Sequence, residues 1–135
     1  MARTKQWVQV AHAPRPNDPL QKADIVAACE AFIRDRLKPR FLPEIRPTEF
    51  NYPIDIRGAW AGGRYRFLQR YRAGGENPSV AEFDAPFARI DHMGAGHFDV
   101  FWMRHTGQWL PLHHKGLTLA AALRTLETDE VLFPN

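Results

Sequence analysis

The chain has a single cysteine, Cys29, and a single serine, Ser79. A lone cysteine excludes an intrachain disulfide and any zinc site built from several thiolates. It also suits a reducing compartment, so the expectation is a cytoplasmic protein. The serine sits in Asn77-Pro78-Ser79, without the Gly-x-Ser-x-Gly turn that exposes a nucleophile. There is no phosphate-loop Gly-Lys-Ser/Thr, and Gly94-Ala95-Gly96 lacks the third glycine and the following helix of a dinucleotide loop. No apolar run approaches the ~20 residues of a membrane span. The opening residues also lack the apolar stretch of a secretory signal, and the expectation is a chain with no membrane contact. Common hydrolase and nucleotide-dependent mechanisms are therefore not expected.

At 135 residues, 44% hydrophobic and 12% aromatic, the chain suffices for one domain with a real core and is short for two. Its net charge of +3 is mildly basic, compatible with a polyanionic partner but a modest electrostatic footprint. Residues 1–18 carry Arg3, Lys5 and Arg15 with little to bury, and read as a flexible basic arm ahead of a single domain over 19–135. The opening Ala2-Arg3-Thr4-Lys5-Gln6 is similar to the start of a core histone tail, too short a match to carry a function.

Asp18-Pro19 marks a helix start, a capping carboxylate followed by a residue whose φ is already set. Ile25/Val26, Cys29, Phe32/Ile33 and Leu37 recur at helical spacing, and Lys38-Pro39 is the expected stop. Alternation then places Phe50, Tyr52, Ile54, Ile56 and Trp60 on one strand face, with Asp55 and Arg57 on the other. Gly62-Gly63 signals a tight hairpin that sets Trp60 opposite Tyr65, Gly58 opposite Phe67, Ile54 opposite Tyr71 and Asp55 opposite Arg70. After a loop at Gly74-Gly75-Glu76-Asn77-Pro78, further strands are expected at about Glu82–Asp91, His97–His105 and Gln108–His113. A helix capped by Thr118 closes the chain, with Leu119, Ala122, Leu123 and Leu126 as its apolar stripe. The reading is an α+β fold: one antiparallel meander sheet of about five strands, with an N-terminal and a C-terminal helix packed on it. Bulky apolar groups on both sides of the later strands predict that both sheet faces are at least partly covered.

From about Phe87 onward the chain resembles a bacterial family known as domain of unknown function 3024. The resemblance is carried by Ala88-Arg89-Ile90, Phe101-Trp102-Met103-Arg104, Gly107-Gln108-Trp109, the helix Leu117-Thr118-Leu119-Ala120-Ala121-Ala122-Leu123, and Asp129 before Phe133. It implies a paired-strand, tryptophan-rich segment followed by a short helix and an aromatic end. The chain departs from the family in ending Phe133-Pro134-Asn135 and in its histidines. The family has no assigned activity, so no functional residue comes with it.

Two constellations carry chemistry. If Met93 to Gly96 forms the whole loop and Thr106-Gly107 the next turn, His92 faces His97, Ile90 faces Asp99, Arg104 faces Trp109, Phe101 faces Leu112 and Asp99 faces His114. His92, His97, Asp99 and His114 then gather at one end of a face that also holds Ala88, Ile90, Phe101, Met103, Leu110 and Leu112. Three imidazoles and a carboxylate suit zinc, or a His–Asp general base; they equally suit the polar rim of a sheet. A one-residue change in either loop disperses them.

The second is an arginine stripe, Arg64, Arg66, Arg70 and Arg72 alternating along one strand, joined by Arg57 from its neighbour. Such a row can follow the phosphates of a nucleic acid or another polyanion, or simply solvate the sheet and blunt edge pairing. Phe98, Trp102 and Trp109 on the opposite face can stack bases only if no helix covers them. The leading reading is a small non-enzymatic binding domain using the arginine face. Beside it stand a metal-dependent or general-base enzyme at the histidines, and a homo-oligomer joined through exposed tryptophans.

Overall fold

The computed structural model describes residues 19–75 and 82–134. The basic arm, the Asp18 cap and the loop residues Glu76-Asn77-Pro78-Ser79 lie outside the described residues.

Five strands form one antiparallel sheet in chain order: β1 (Tyr52–Ala61), β2 (Arg64–Arg72), β3 (Glu82–Gly94), β4 (His97–Met103) and β5 (Trp109–Pro111). The helices are α1 (Pro19–Phe32), α2 (Lys38–Phe41) and α3 (Leu119–Thr128), with a π-helical turn at Ile33–Leu37 and a 3-10 turn at Glu130–Leu132. The α+β meander is as expected from the strand and turn signals.

The helix does not stop at Lys38-Pro39. The Lys38 N–H donates to the Ile33 carbonyl, five residues back, and this widened turn hands the chain to α2. Pro39 then falls in the first turn of α2, where a missing N–H costs no intrahelical bond. Arg34, Arg36 and Lys38 pair with Asp35, Glu127 and Asp55 respectively.

Both long helices share one face of the sheet. Ile25, Cys29, Phe32, Ile33 and Leu37 from the N-terminal segment, and Ala122, Leu126 and Leu132 from the C-terminal one, enclose Ile56, Tyr65, Phe67, Ala88, Ile90, Phe98 and Val100. Each large apolar side chain buried here contributes about 1.5–3 kcal/mol. No described helix packs on the other face, whose partial cover comes from its own side chains, with Leu68, Arg89 and Asp91 buried there. The Thr118 cap forms as expected, its hydroxyl accepting from the Ala121 N–H at 3.1 Å. The helical ends are tied together where Arg36 Nε donates to Glu127 at 2.6 Å and Arg40 reaches the Glu127 carbonyl. Tyr65 lies so close over Gly58 that a Cβ there would overlap its ring.

The β1–β2 hairpin has the expected register around Gly62-Gly63, with Trp60 opposite Tyr65, Gly58 opposite Phe67 and Asp55 opposite Arg70. A bulge between Pro53 and Asp55 puts Pro53, not Ile54, opposite Tyr71. Asp55 bonds Lys38 at 2.9 Å rather than its cross-strand neighbour Arg70. Phe50 precedes the strand and is 73% exposed. A second bulge inserts Phe87 on β3 beside Pro86, which has no N–H for the ladder, and turns both Phe87 and Ala88 into the core.

The next connection is where expectation and structure part. The turn is Ala95-Gly96, both at positive φ (52° and 72°), with an extra residue bulged between His92 and Gly94. His92 therefore faces Phe98, Ile90 faces Val100 and Asp91 faces Asp99. At the following connection Met103 faces Trp109, Trp102 faces Leu110 and Phe101 faces Pro111. Each pairing is one residue from the expected one, so relative to Ala88 and Ile90 the β4 side chains lie on the opposite face from that expected, while Phe98 and Trp102 lie away from the arginines, as read.

Two outcomes follow. Ala95→Asn or Ala95→Gly relieves a left-handed alanine and is expected to raise stability by about 0.5–1 kcal/mol in urea unfolding, with an unchanged dependence on denaturant. Burial, then the neighbouring Glu30, pushes the Cys29 thiol up to about 12, whereas an unfolded thiol ionises near about 8.5. The folded pKa is the higher, so the contribution is complete below the unfolded value and is lost as pH rises toward the folded one. Thermal midpoints are expected to fall with pH across that window, and less steeply in Cys29→Ala.

Candidate functional site

The face away from the helices is built by alternate residues of every strand. One row across it reads Ala59, Arg66, Arg89, Phe101, Pro111, and the next reads Ala61, Arg64, Asp91, Asp99. Arg57 lies opposite Leu68, Arg70 opposite Asp84 and Arg72 opposite Glu82. The arginine stripe thus occupies one face as read.

Its members are not equivalent. Arg70 bonds Glu82 at 3.0 Å and Asp84 at 3.2 Å, and Arg72 bonds Glu82 at 2.7 Å. Arg72 first, then Arg70, hold the Glu82 carboxyl below the usual carboxylate range. Arg64 stands 3.6 Å from Asp91. Arg57 and Arg66 are exposed and have no carboxylate partner among the described residues.

Arg89 sits at the centre of this face and is only 8% exposed, with Asp91 at 9%. Its Nε and Nη2 donate to the two Asp91 carboxylate oxygens at 2.7 and 3.1 Å, a forked pair between residues two apart on one strand. The guanidinium carbon lies 4.2 Å from the Phe101 ring centre and 5.0 Å from that of Trp109. A buried arginine on a sheet face without a helix must be covered by its neighbours' side chains, and these rings supply the cover. Arg66 directly across β2 repels it; the Asp91 fork offsets that repulsion.

Trp109 therefore belongs to the arginine face, not to the face of Phe98 and Trp102, which look toward the helices. Arg89 went unrecognised in the sequence. Its signal was the Arg89-x-Asp91 spacing, which puts opposite charges on one side of an otherwise apolar strand.

The four residues considered for zinc or general-base chemistry are not brought together. His92 is 4% exposed on the helix-covered face, its ring stacked 4.9 Å from Phe98. His97 is exposed beside the turn. Asp99 lies on the arginine face and accepts from the Gly116 N–H at 2.9 Å. His114 is exposed, at a shallow hollow with Arg40, Thr125 and Asp129. The one-residue register difference separates them, and no group of three or more His, Cys, Asp or Glu among the described residues is placed to hold a metal. Cys29, fully buried with its pKa raised, is not an activated nucleophile. No helix among the described residues is long and apolar enough to cross a membrane.

Fold and face together define an α+β domain with an antiparallel sheet that is helix-covered on one side and carries a charged, aromatic-bearing surface on the other. The chain belongs to the family of the domain of unknown function DUF3024, whose model matches residues 17–134, well beyond the C-terminal third in which the resemblance was visible. No curated protein and no solved structure matches it.

Removing one partner of a forked, nearly buried ion pair leaves the other charge stranded, whereas replacing both with apolar groups does not. Asp91→Asn is expected to cost about 2–4 kcal/mol, and the double variant Asp91→Leu/Arg89→Met less than either single change. Chemical denaturation of the set checks this.

Proposed function

We propose that this domain is a non-enzymatic binding module that takes a polyanion across its open sheet face. The observation that carries the reading is the pair Arg57 and Arg66. Both are exposed on this face and unpaired by carboxylates among the described residues, beside Arg64, which is also exposed. They are diagonal neighbours on adjacent strands, ~7–8 Å apart at the backbone, close enough to engage one chain of phosphates or sulfates. Arg70 and Arg72, engaged by Glu82 and Asp84, shape the border of the surface and supply less of its attraction. The excess of basic residues over the whole chain favours encounter with the same class of ligand.

Affinity for heparin or an oligonucleotide is expected to fall steeply with salt. The double variant Arg57→Gln/Arg66→Gln is expected to lower the log–log salt slope by about 1–2 and to weaken binding at low salt. Arg70→Gln/Arg72→Gln is expected to change the slope less and the folding stability more. A slope that stays unchanged in Arg57→Gln/Arg66→Gln overturns the assignment.

A further inference from the structure

We infer that the ligand of the open face is a single-stranded nucleic acid, engaged by stacking of a base against the Phe101 and Trp109 rings. This rests on the polyanion reading and narrows it to one class of polyanion.

Arg89 is not available to a phosphate. Its Nε and Nη2 are both directed to Asp91, and it is almost wholly buried. It is therefore a fixed part of the surface rather than a phosphate ligand. Its planar guanidinium instead lies against both rings. Phe101 and Trp109 come from neighbouring strands, and neither is fully buried. Two aromatic side chains held in place by a cation on a sheet face that also carries exposed arginines form a surface matched to a flat, uncharged, π-bearing group.

The cations stand where a strand of nucleotides needs them. Arg66 is directly across from Arg89 on β2, so an exposed guanidinium stands two strands from Phe101 in the same row, with Arg64 and Arg57 continuing the positive surface. Bases against the rings and phosphates over the β1–β2 arginines is an arrangement only an unpaired strand can adopt. In a duplex the base faces are already stacked on one another. A sulfated polysaccharide or an anionic lipid surface has charge but no base to set against Phe101 and Trp109. Base–aromatic stacking is sequence-tolerant because every base has a π-face, so little sequence preference is expected.

The test is fluorescence anisotropy at low salt with the full chain and three labelled ligands of about twelve nucleotides. These are an oligothymidylate, a deoxyribose-phosphate strand of equal length without bases, and a duplex. The oligothymidylate is expected to bind at least about fivefold tighter than the abasic strand, the low end of what one stacked base provides. Phe101→Leu and Trp109→Leu keep an apolar cover on Arg89 while removing a ring, and circular dichroism checks that each is folded. In both, the preference for bases is expected to shrink while abasic binding persists. Equal affinity of the wild type for the two single strands, or a preference for the duplex, overturns the inference and leaves the polyanion reading standing. A base preference unchanged in both leucine variants also overturns it. Absence of salt-dependent binding to all three and to heparin overturns both.

Discussion

The pairing of Gly94 with His97 around the Ala95-Gly96 turn decides which side of the sheet each β4 residue occupies. A two-residue turn with both residues at positive φ matches the right-handed twist of the strands, and the extra residue before it is absorbed as a bulge. Strand periodicity makes this a binary choice. With the observed register, Phe98 and Val100 enter the core beneath the helices, and Phe101 is delivered to Arg89. The alternative register would exchange them, exposing the core and burying Asp99. The apolar demand of one face thus produces the aromatic surface of the other.

The helical layer solves a related problem. Ile33 and Leu37 are both buried, and the wide turn between α1 and α2 lets them share a face while the chain passes Pro39 without losing helical direction. That turn also presents Arg36 and Arg40 to the C-terminal end of α3, where a cation is favoured by the carbonyls left without helical partners. Arg40 lies over Phe41 and Phe133 as well. A stacked arginine therefore joins distant segments at the exposed end of the helical layer, and another forms part of the surface on the opposite side of the sheet.

What could be read in advance follows the locality of the information. The first hairpin was readable because Gly62-Gly63 admits one tight turn and Trp60, Gly58 and Asp55 all agree on its register. The last helix was readable from Thr118 and the spacing of Ala122 and Leu126. The arginine alternation on β2 was readable because strand geometry alone places it. The turn between His92 and His97 was not, because glycines at 94 and 96 permit two closures differing by one residue, and nothing nearby chooses between them. The choice comes from packing of Phe98 and Val100 against helices distant in the chain. The Pro39 reading failed for a similar reason. Proline forbids a helix interior, yet is welcome in a first turn, and only the tertiary position of Leu37 distinguishes the two. Arg89 was hidden by its setting, since an arginine among apolar strand residues gives no sign of being stacked until its neighbours across the sheet are known.

The strictly sequential strand order has a kinetic consequence. Adjacent strands in the chain are adjacent in the sheet, and several connections are tight turns, so much of the sheet forms by closing short loops at small entropic cost. The contacts that span the chain include those of α1 with α3, of Arg36 and Arg40 with Glu127, and of Phe41 with Phe133. They require the widest loop closure and gain their apolar burial only when the sheet is in place to receive them. Docking of the two ends of the chain onto a sheet of fast-forming hairpins is therefore the step expected to limit folding. Substitutions at Leu126 or Ile25 should then act on a different limb of the kinetics from substitutions in the turns.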